Sequence, residues 1–284
     1  MEQDVTVLVC CHKKDYCYDG AGYLPVQVGK AISSVDLGFQ GDDEGDNISA
    51  KNRHFCELTA HYWYWKNRTP SKYVGLNHYR RYFDFSGWNR WNVSFRKVSE
   101  SWIKEHPPVL PDLDRLFRKY DVVLAKRRSH PVNLWYDYAM SHVVNDELIL
   151  KQVIDELTPD YSDAFEHVMR LNNKLSHYNM FILPAERFKE YSQWLFTILF
   201  EVEKRVKISP YVDQARVFGY LSERMINIFA YRHKLRVKYL PVLKVTDGYE
   251  ISQREERWTA VRDNFTSWFF TFPRRMRNRL QKKG

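Results

Sequence analysis

The hydrophobic positions of this chain alternate between two periods. Short continuous apolar runs stand at Val5–Cys11 (VTVLVCC), Tyr120–Lys126 (YDVVLAK) and Val237–Val242 (VKYLPV). Runs of this length, rich in β-branched residues, predict strands buried on both faces. Strands are also expected over Lys72–Phe83 and His177–Leu183. Between them, apolar residues recur three and four apart. Phe55, Leu58, Tyr62 and Trp65 predict a helix over 50–66, and Phe188, Tyr191, Leu195, Ile198 and Val202 predict another after Pro184, a residue suited to a first helical turn. Val217, Leu221, Met225 and Ile228 predict a third within 210–231, and further helices are expected over 133–154 and 162–175. Strands interleaved with helices imply an α/β domain, a Rossmann-like mixed sheet flanked by helices. Asp84–Pro111 keeps no period and ends in prolines, so it reads as a loop-rich excursion or a hairpin.

In such folds, ligands bind beyond the carboxyl ends of strands. The stretch KYVGLNHYRRYF ends there in Asn77, His78, Arg80 and Arg81. Two guanidiniums beside an imidazole suit phosphate, because arginine presents a planar fork of donors and stays charged. Strand alternation points adjacent Arg80 and Arg81 opposite ways, so one of them is expected to be structural. His12 and Lys13 follow the first strand in the same manner. Asp42, Asp43 and Glu44 form an acidic run that either offers oxygens to Mg²⁺ or Mn²⁺ or is a solvated loop, and charge runs are usually solvated. After it, Asp46 and Asn47 can close a turn and Ser49 can cap the following helix. On the helix expected within 210–231, Arg216, Tyr220, Glu223 and Asn227 share one polar face, within roughly 60° at 100° per residue. His142 and Asp146 lie on either a solvated helix face or an acceptor-binding one.

Apolar residues make up 44% of the 284 and aromatic ones 16%, a composition for a packed globular protein. The formal net charge of +9 calls for an anionic partner. No zinc-finger spacing, RNA-binding signature or basic helix accompanies it, so nucleic acid is not the expected one. Cys10, Cys11, Cys17 and Cys56 form no CxxC pair, which fits a reduced, cytoplasmic protein. No run of 18 apolar residues exists to span a membrane. Beyond Asp247 the composition changes: FTSWFFTF (Phe265–Phe272) leads into PRRMRNRLQKKG (Pro273–Gly284), with six basic residues and no acidic one. Aromatic rings beside a polybasic tail read as a shallow contact with an anionic membrane surface, the other reading being a basic tail without a target. The division expected is a domain over 1–246 and an appendage over 247–284.

Four blocks carry a resemblance: GDNISAKN (Gly45–Asn52), CELTAHYWYWKN (Cys56–Asn67), YVGLNHYRRYF (Tyr73–Phe83) and HYNMFIL (His177–Leu183). In this order they resemble the signature blocks of a bacterial family of nucleotide-sugar glycosyltransferases in capsule, exopolysaccharide and lipopolysaccharide synthesis. The resemblance runs from about Val5 to about Val242, with Asn77 standing where the family usually has Cys. It implies a GT-A-like fold, a UDP-linked donor such as UDP-galactofuranose, a lipid-linked glycan acceptor, and a place on the inner face of the bacterial membrane. The implied donor-binding residues are His12, Lys13, Gln27, Val28, Gly29, Asp43, Asn47, Ser49, Asn77, His78, Arg80 and Arg81, with Gln27–Gly29 offering an amide and bare backbone to uracil. Where GT-A enzymes carry Asp-x-Asp, this chain has Asn77-His78-Tyr79-Arg80. Fixed cations are therefore expected to neutralise the diphosphate, and no cofactor is firmly implied, a Mn²⁺ or Mg²⁺ ion being disfavoured. The order of elements after His177 resembles the second half of glycogenin-like transferases. On that likeness Glu223 is the first candidate base, with Asp46 or Asp213 behind it, and His142, His177 and Asn179 meet the acceptor. The rival reading is a non-catalytic module that binds a sugar nucleotide or phosphoglycan.

Overall fold

In β1 (Val5–Cys11), Leu8 and Cys10 face one side of the sheet and Val7, Val9 and Cys11 the other, all of them buried. The strand is thus covered on both faces, as its unbroken apolar run requires. The computed structural model describes residues 4–87, 93–246 and 253–281. β1 runs parallel to β2 (Tyr23–Gln27), which pairs with the short β3 (Gln40–Gly41), and on its other side parallel to β4 (Tyr73–His78). β4 then turns at Tyr79–Arg80 into antiparallel β5 (Arg81–Phe83), with His78 opposite Arg81. The single strand expected over Lys72–Phe83 is therefore a tight hairpin. β6 (Phe95–Val98) and β7 (Val122–Ala125) follow, then a separate two-stranded ribbon of β8 (Arg128–Ser129) and β9 (Lys174–Leu175). β10 (Phe181–Pro184) enters antiparallel between β4 and β7. β11 (Val237–Leu240) lies parallel to β7, and β12 (Val242–Val245), set off from it by Pro241, joins β5 and β6. The main path of the sheet reads β11-β7-β10-β4-β1-β2-β3, a mostly parallel sheet with one reversed strand at its centre.

Helices cover both faces. The helix expected over 50–66 is broken: a 3-10 turn at Ser49–Lys51 leads into α1 (Asn52–Phe55), and α2 (Leu58–Asn67) starts only after Cys56. Its apolar stripe still packs inward, Phe55 stacking on Phe218 at 4.2 Å and Trp65 on Phe196 at 5.7 Å between ring centres. The excursion after β5 contains α3 (Glu100–Glu105) and α4 (Leu113–Phe117), capped by the Ser99 hydroxyl and the Asp112 carboxylate. Residues 133–157 form two helices, α5 (Leu134–Ser141), capped by Asn133, and α6 (Val144–Leu157). α7 (Ser162–Phe165) runs into a π-helical turn at Glu166–Arg170, where a longer helix was expected. α8 (Ala185–Arg205) buries Phe188, Tyr191, Leu195, Ile198 and Val202, the stripe read from the sequence. α9 (Val217–Arg232) buries Val217, Leu221, Met225 and Ile228. In α10 (Gln253–Gln281), Glu256 accepts from the backbone N–H groups of Ser94 at 3.0 Å and Phe95 at 3.4 Å, tying the helix to β6. The side chains of Phe270, Phe272, Arg274, Arg275, Arg277 and Arg279, and all of Lys282 and Lys283, lie outside the described residues. Among the described residues no helix is long and apolar enough to cross a membrane.

Candidate active site

Beyond the carboxyl ends of β1 and β4 the sheet opens into a cleft of about 840 Å³, the position the strand directions favour for a ligand. Its sheet side is lined by His12 after β1, Val28 after β2, His78 at the end of β4 and Arg81 at the start of β5. The opposite wall comes from Arg53 on α1, from Cys56 and Glu57 in the α1–α2 break, and from Arg216, Tyr220 and Glu223 at α9. The polar face that spacing alone placed on α9 is thus a cleft wall over three of its four residues.

The break between α1 and α2 makes much of this wall. Cys56 sits at φ 52, ψ −131, a backbone region that costs a non-glycine residue about 1–3 kcal/mol. Local bonds fix it there: Asn52 Nδ2 donates to its carbonyl at 2.7 Å, and Arg216 Nε donates to its sulfur at 3.3 Å. Gly219 on α9 gives it room, since a Cβ there would stand 3.1 Å from Cys56 Sγ. The kink turns Glu57 inward, where it is 9% exposed and accepts from Asn179 Nδ2 at 2.5 Å.

A second tight turn completes the floor. Tyr178 and Asn179 have φ of 76 and 53, so His177–Met180 is not the strand expected and β10 begins at Phe181. Asparagine tolerates this left-handed geometry, whereas tyrosine is strained by it. The turn aims the Tyr178 N–H at Glu223 Oε1 (2.9 Å) and its carbonyl at His78 Nε2 (2.5 Å). A carbonyl only accepts, so His78 carries its proton on Nε2, and burial pulls that ring below the ordinary imidazole range. Glu223 Oε2 lies 3.4 Å from both His177 Nδ1 and Arg224 Nη1. Burial pushes this carboxyl up, but His177, Arg224 and the Tyr178 amide outweigh it and hold the group at about 2. Glu223 is therefore an anion in the cleft at any physiological pH.

The two arginines diverge as strand alternation requires. Arg80 Nε pairs with Asp15 Oδ1 at 2.8 Å, a carboxylate that also meets Lys13 at 3.6 Å. Arg81 faces the cleft, lies over the Tyr178 ring at 4.9 Å, and has no carboxylate partner among the described residues. Of the expected donor residues, His12, Val28, His78 and Arg81 come together in the cleft.

The others do not line it, for identifiable reasons. Gln27 is fully buried and spends its amide on Val35 O and Leu37 N, so it shapes the 33–37 loop. Gly29, at φ 67, donates its N–H to Asp42. Asp42 is fully buried and also accepts from Lys30 N and Ser49 Oγ. Ser49 thereby ties two loops instead of capping a helix. Asp43 is exposed. Asn47 bonds back to the carbonyls of Asp43 and Gly45. Asp46 is exposed, accepts from Tyr62 OH at 3.0 Å and does not line the cleft, and Asp213 is likewise exposed on the loop before α9 and outside the lining. Asn77 points into the sheet core, fully buried with neither side-chain atom hydrogen-bonded. His177 lies behind Glu223, Asn179 behind Glu57, and His142 behind Tyr220, on whose ring it stacks at 4.0 Å. Among the described residues no group of three or more His, Cys, Asp or Glu side chains is placed to hold a metal ion. Sequence reasoning missed Glu57 and Tyr178 altogether. Both lie inside quoted sequence blocks, but their roles come from backbone kinks that periodicity does not register.

Comparison with known proteins places the chain. A solved structure, the WbbM bifunctional glycosyltransferase in its apo form, superposes with a TM-score of 0.76 at 32% sequence identity, over 87% of this chain and 46% of that one. The chain therefore spans a little under half the length of that protein. No curated protein matches the chain. The family model that matches, over residues 6–234, is described as "Domain of unknown function (DUF4422)", and with most of its length matched the chain belongs to that family.

Proposed function

We propose that this chain is a glycosyltransferase that moves a sugar from a nucleotide diphosphate, most simply a UDP-sugar, to a hydroxyl of a lipid-linked glycan. One observation carries the reading: a single cleft at the strand ends holds a guanidinium without a carboxylate partner among the described residues, Arg81, together with two carboxylates, Glu57 and Glu223. Fixed cations stabilise a diphosphate as it leaves with the bonding electrons, and a carboxylate can accept the proton of the attacking hydroxyl. Arg81, with Arg53 and Arg216, takes the diphosphate; His12 and Val28 lie where a base and ribose would enter; Glu223 is the base and Glu57 a sugar-binding acid. The likeness to a bifunctional glycosyltransferase supports the reaction class, and the sequence resemblance favours a galactofuranosyl donor in bacterial surface-glycan synthesis. Hydrolysis of a panel of UDP-sugars in the presence of EDTA, with UDP binding followed by calorimetry, tests the reading. UDP binding together with slow turnover of one donor is expected; binding without any turnover would leave a sugar-nucleotide binding module instead.

The appendage adds a location. Along α10, Trp258, Val261, Phe265, Trp268 and Phe269 are all about half exposed or more, and their spacing of three and four puts them on one side of the helix. Six basic residues follow in the sequence. Rings that settle at the headgroup boundary and charges drawn to anionic lipid give together the attachment that neither gives alone. The full chain should sediment with anionic vesicles, less so in high salt, while a chain ending at Thr246 should stay in solution. Equal sedimentation of both would remove the membrane from the reading.

A further inference from the structure

Behind Glu223 runs a line of partly buried titratable groups drawn from four parts of the chain. Glu223 Oε2 meets His177 Nδ1 at 3.4 Å, His177 Nε2 meets His130 Nε2 at 3.0 Å, and His130 Nδ1 meets Asp137 Oδ1 at 2.7 Å. All four side chains are less than a fifth exposed. Arg224, 3% exposed, closes the loop, with Nη1 3.4 Å from Glu223 Oε2 and Nη2 3.6 Å from Asp137 Oδ2. Glu147 on α6 also faces this set. Burial pushes it up to about 8 against the pull of Arg224 and Arg170, so it is neutral at pH 7 and adds no charge.

The three bonds need three protons, and two neutral imidazoles supply only two. The carboxylates do not supply the third. Glu223 is held low as described, and at Asp137 the His130 bond and Arg224 outweigh the upward push of burial. Burial likewise pulls His177 below the ordinary imidazole range, against the opposing pull of Glu223. With one proton on each ring, the network combines two carboxylates, one guanidinium and two imidazoles. It carries one negative charge and has one vacant proton position. The longest of the three contacts, His177 to Glu223, is the natural place for the vacancy.

We propose that His177 and His130 are the terminus of the proton that Glu223 takes from the attacking hydroxyl, so that carboxylate and imidazole pair act as one base. The inference rests on the transferase reading above and deepens it. As the acceptor O–H bond breaks, its oxygen forms the new bond to the anomeric carbon and the diphosphate leaves with the electron pair of the old one. The proton passes through the Glu223 carboxylate to Nδ1 of His177 and fills the vacant bond. This answers a difficulty of the site, since a carboxylate that stays as acidic as Glu223 is by itself a weak base, and general bases work best near the operating pH. His177 and His130 are positioning residues here. They touch no substrate and act through Glu223, while the Asp137 and Glu223 carboxylates offset the positive charge that builds up on the imidazole pair and Arg224 holds those two carboxylates in place.

The test is His177→Asn, whose amide can still donate to Glu223 from the place of Nδ1 but cannot take up a proton. With UDP-galactofuranose and an alkyl glycoside acceptor, the wild-type rate should fall on acidification through the imidazole range, as the vacancy fills before catalysis. The Asn variant should lose that limb and roughly 10²-fold in kcat, the scale of one proton-transfer step, with KM for donor unchanged. His130→Gln, with near-ultraviolet circular dichroism to confirm folding, should move the limb without abolishing it. A wild-type rate and unshifted limb in His177→Asn would overturn the relay and leave His177 a purely geometric support for Glu223. Nitrogen NMR of histidine-labelled, substrate-free protein separates this failure from that of the transferase reading. Two rings titrating as one coupled unit are expected; independent titration would overturn the relay even in an active transferase. Coupled titration in a protein that transfers no sugar would instead sink the transferase reading and, with it, the catalytic role of the relay.

Discussion

Replacing Glu223 by Gln is expected to lower sugar transfer by about 10²–10⁴-fold, the range spanned by loss of a general base, while UDP binding stays close to wild type. Gln keeps the shape of the side chain and can still accept the Tyr178 N–H through its amide oxygen, so the 178–179 turn should hold. It cannot accept a proton, and it leaves the charge on Arg224 facing only Asp137. Initial rates with a UDP-sugar donor, beside calorimetry of UDP, check this. A variant with full activity would move the base to Glu57, the other carboxylate of the cleft.

Arg81→Ala should weaken UDP binding by about 1.5–3 kcal/mol, roughly 10–150-fold, the worth of a hydrogen bond to a charged group. Because Arg81 contacts the Tyr178 ring and no carboxylate among the described residues, its loss strands no buried charge and the fold should survive. Arg80→Ala should do the opposite. It removes a partner of Asp15, whose side chain is only 10% exposed, and should lower the melting temperature while leaving UDP affinity nearly intact. Titration calorimetry and thermal melts on the two variants separate the roles. A Kd that rises for Arg80→Ala and not for Arg81→Ala would exchange them.

The elements most legible in the sequence were those whose side chains answer to one period over their whole length. β1, α8 and the buried face of α9 lie where periodicity put them because burial on a fixed face governs every residue of each. Failures cluster where one residue leaves the period. A single left-handed Cys56 splits a helix whose stripe of Phe55, Leu58 and Tyr62 continues through the break, so the hydrophobic signal could not report it. The hairpin at Tyr79–Arg80 and the 178–179 turn escaped for the same reason. Site residues divide along similar lines. Polar groups at strand ends, His12, His78 and Arg81, could be expected to line the cleft because the fold class opens one beyond the strand ends. The carboxylates and amides of the 41–49 loop resemble ligands in sequence, while in space Asp42 is taken up by the N–H groups of Gly29 and Lys30 on the preceding loop and Asn47 by the carbonyls of Asp43 and Gly45 beside it. The pairing of His130 with His177 is a meeting of residues distant in sequence, and no local pattern announces it.

The reversed strand β10 also bears on how the chain reaches this state. Phe181 pairs with Leu76 on one side and Leu124 on the other, so the middle of the sheet cannot close until a segment about a hundred residues downstream of β4 arrives. Contacts of such long sequence separation slow folding, because the loop-closure entropy is lost before the pairing offsets it. During synthesis, β1, β2 and β4 emerge well before their central partner, and β4 and β7 meanwhile present unpaired apolar edges of the kind that invite association between chains. The Tyr178–Asn179 turn immediately precedes β10, so the cleft floor is assembled together with the last central strand. A chain released or cut before Tyr178 would thus lack both the cleft floor and the strand that seals the sheet, and its fate would be aggregation or degradation, not partial function.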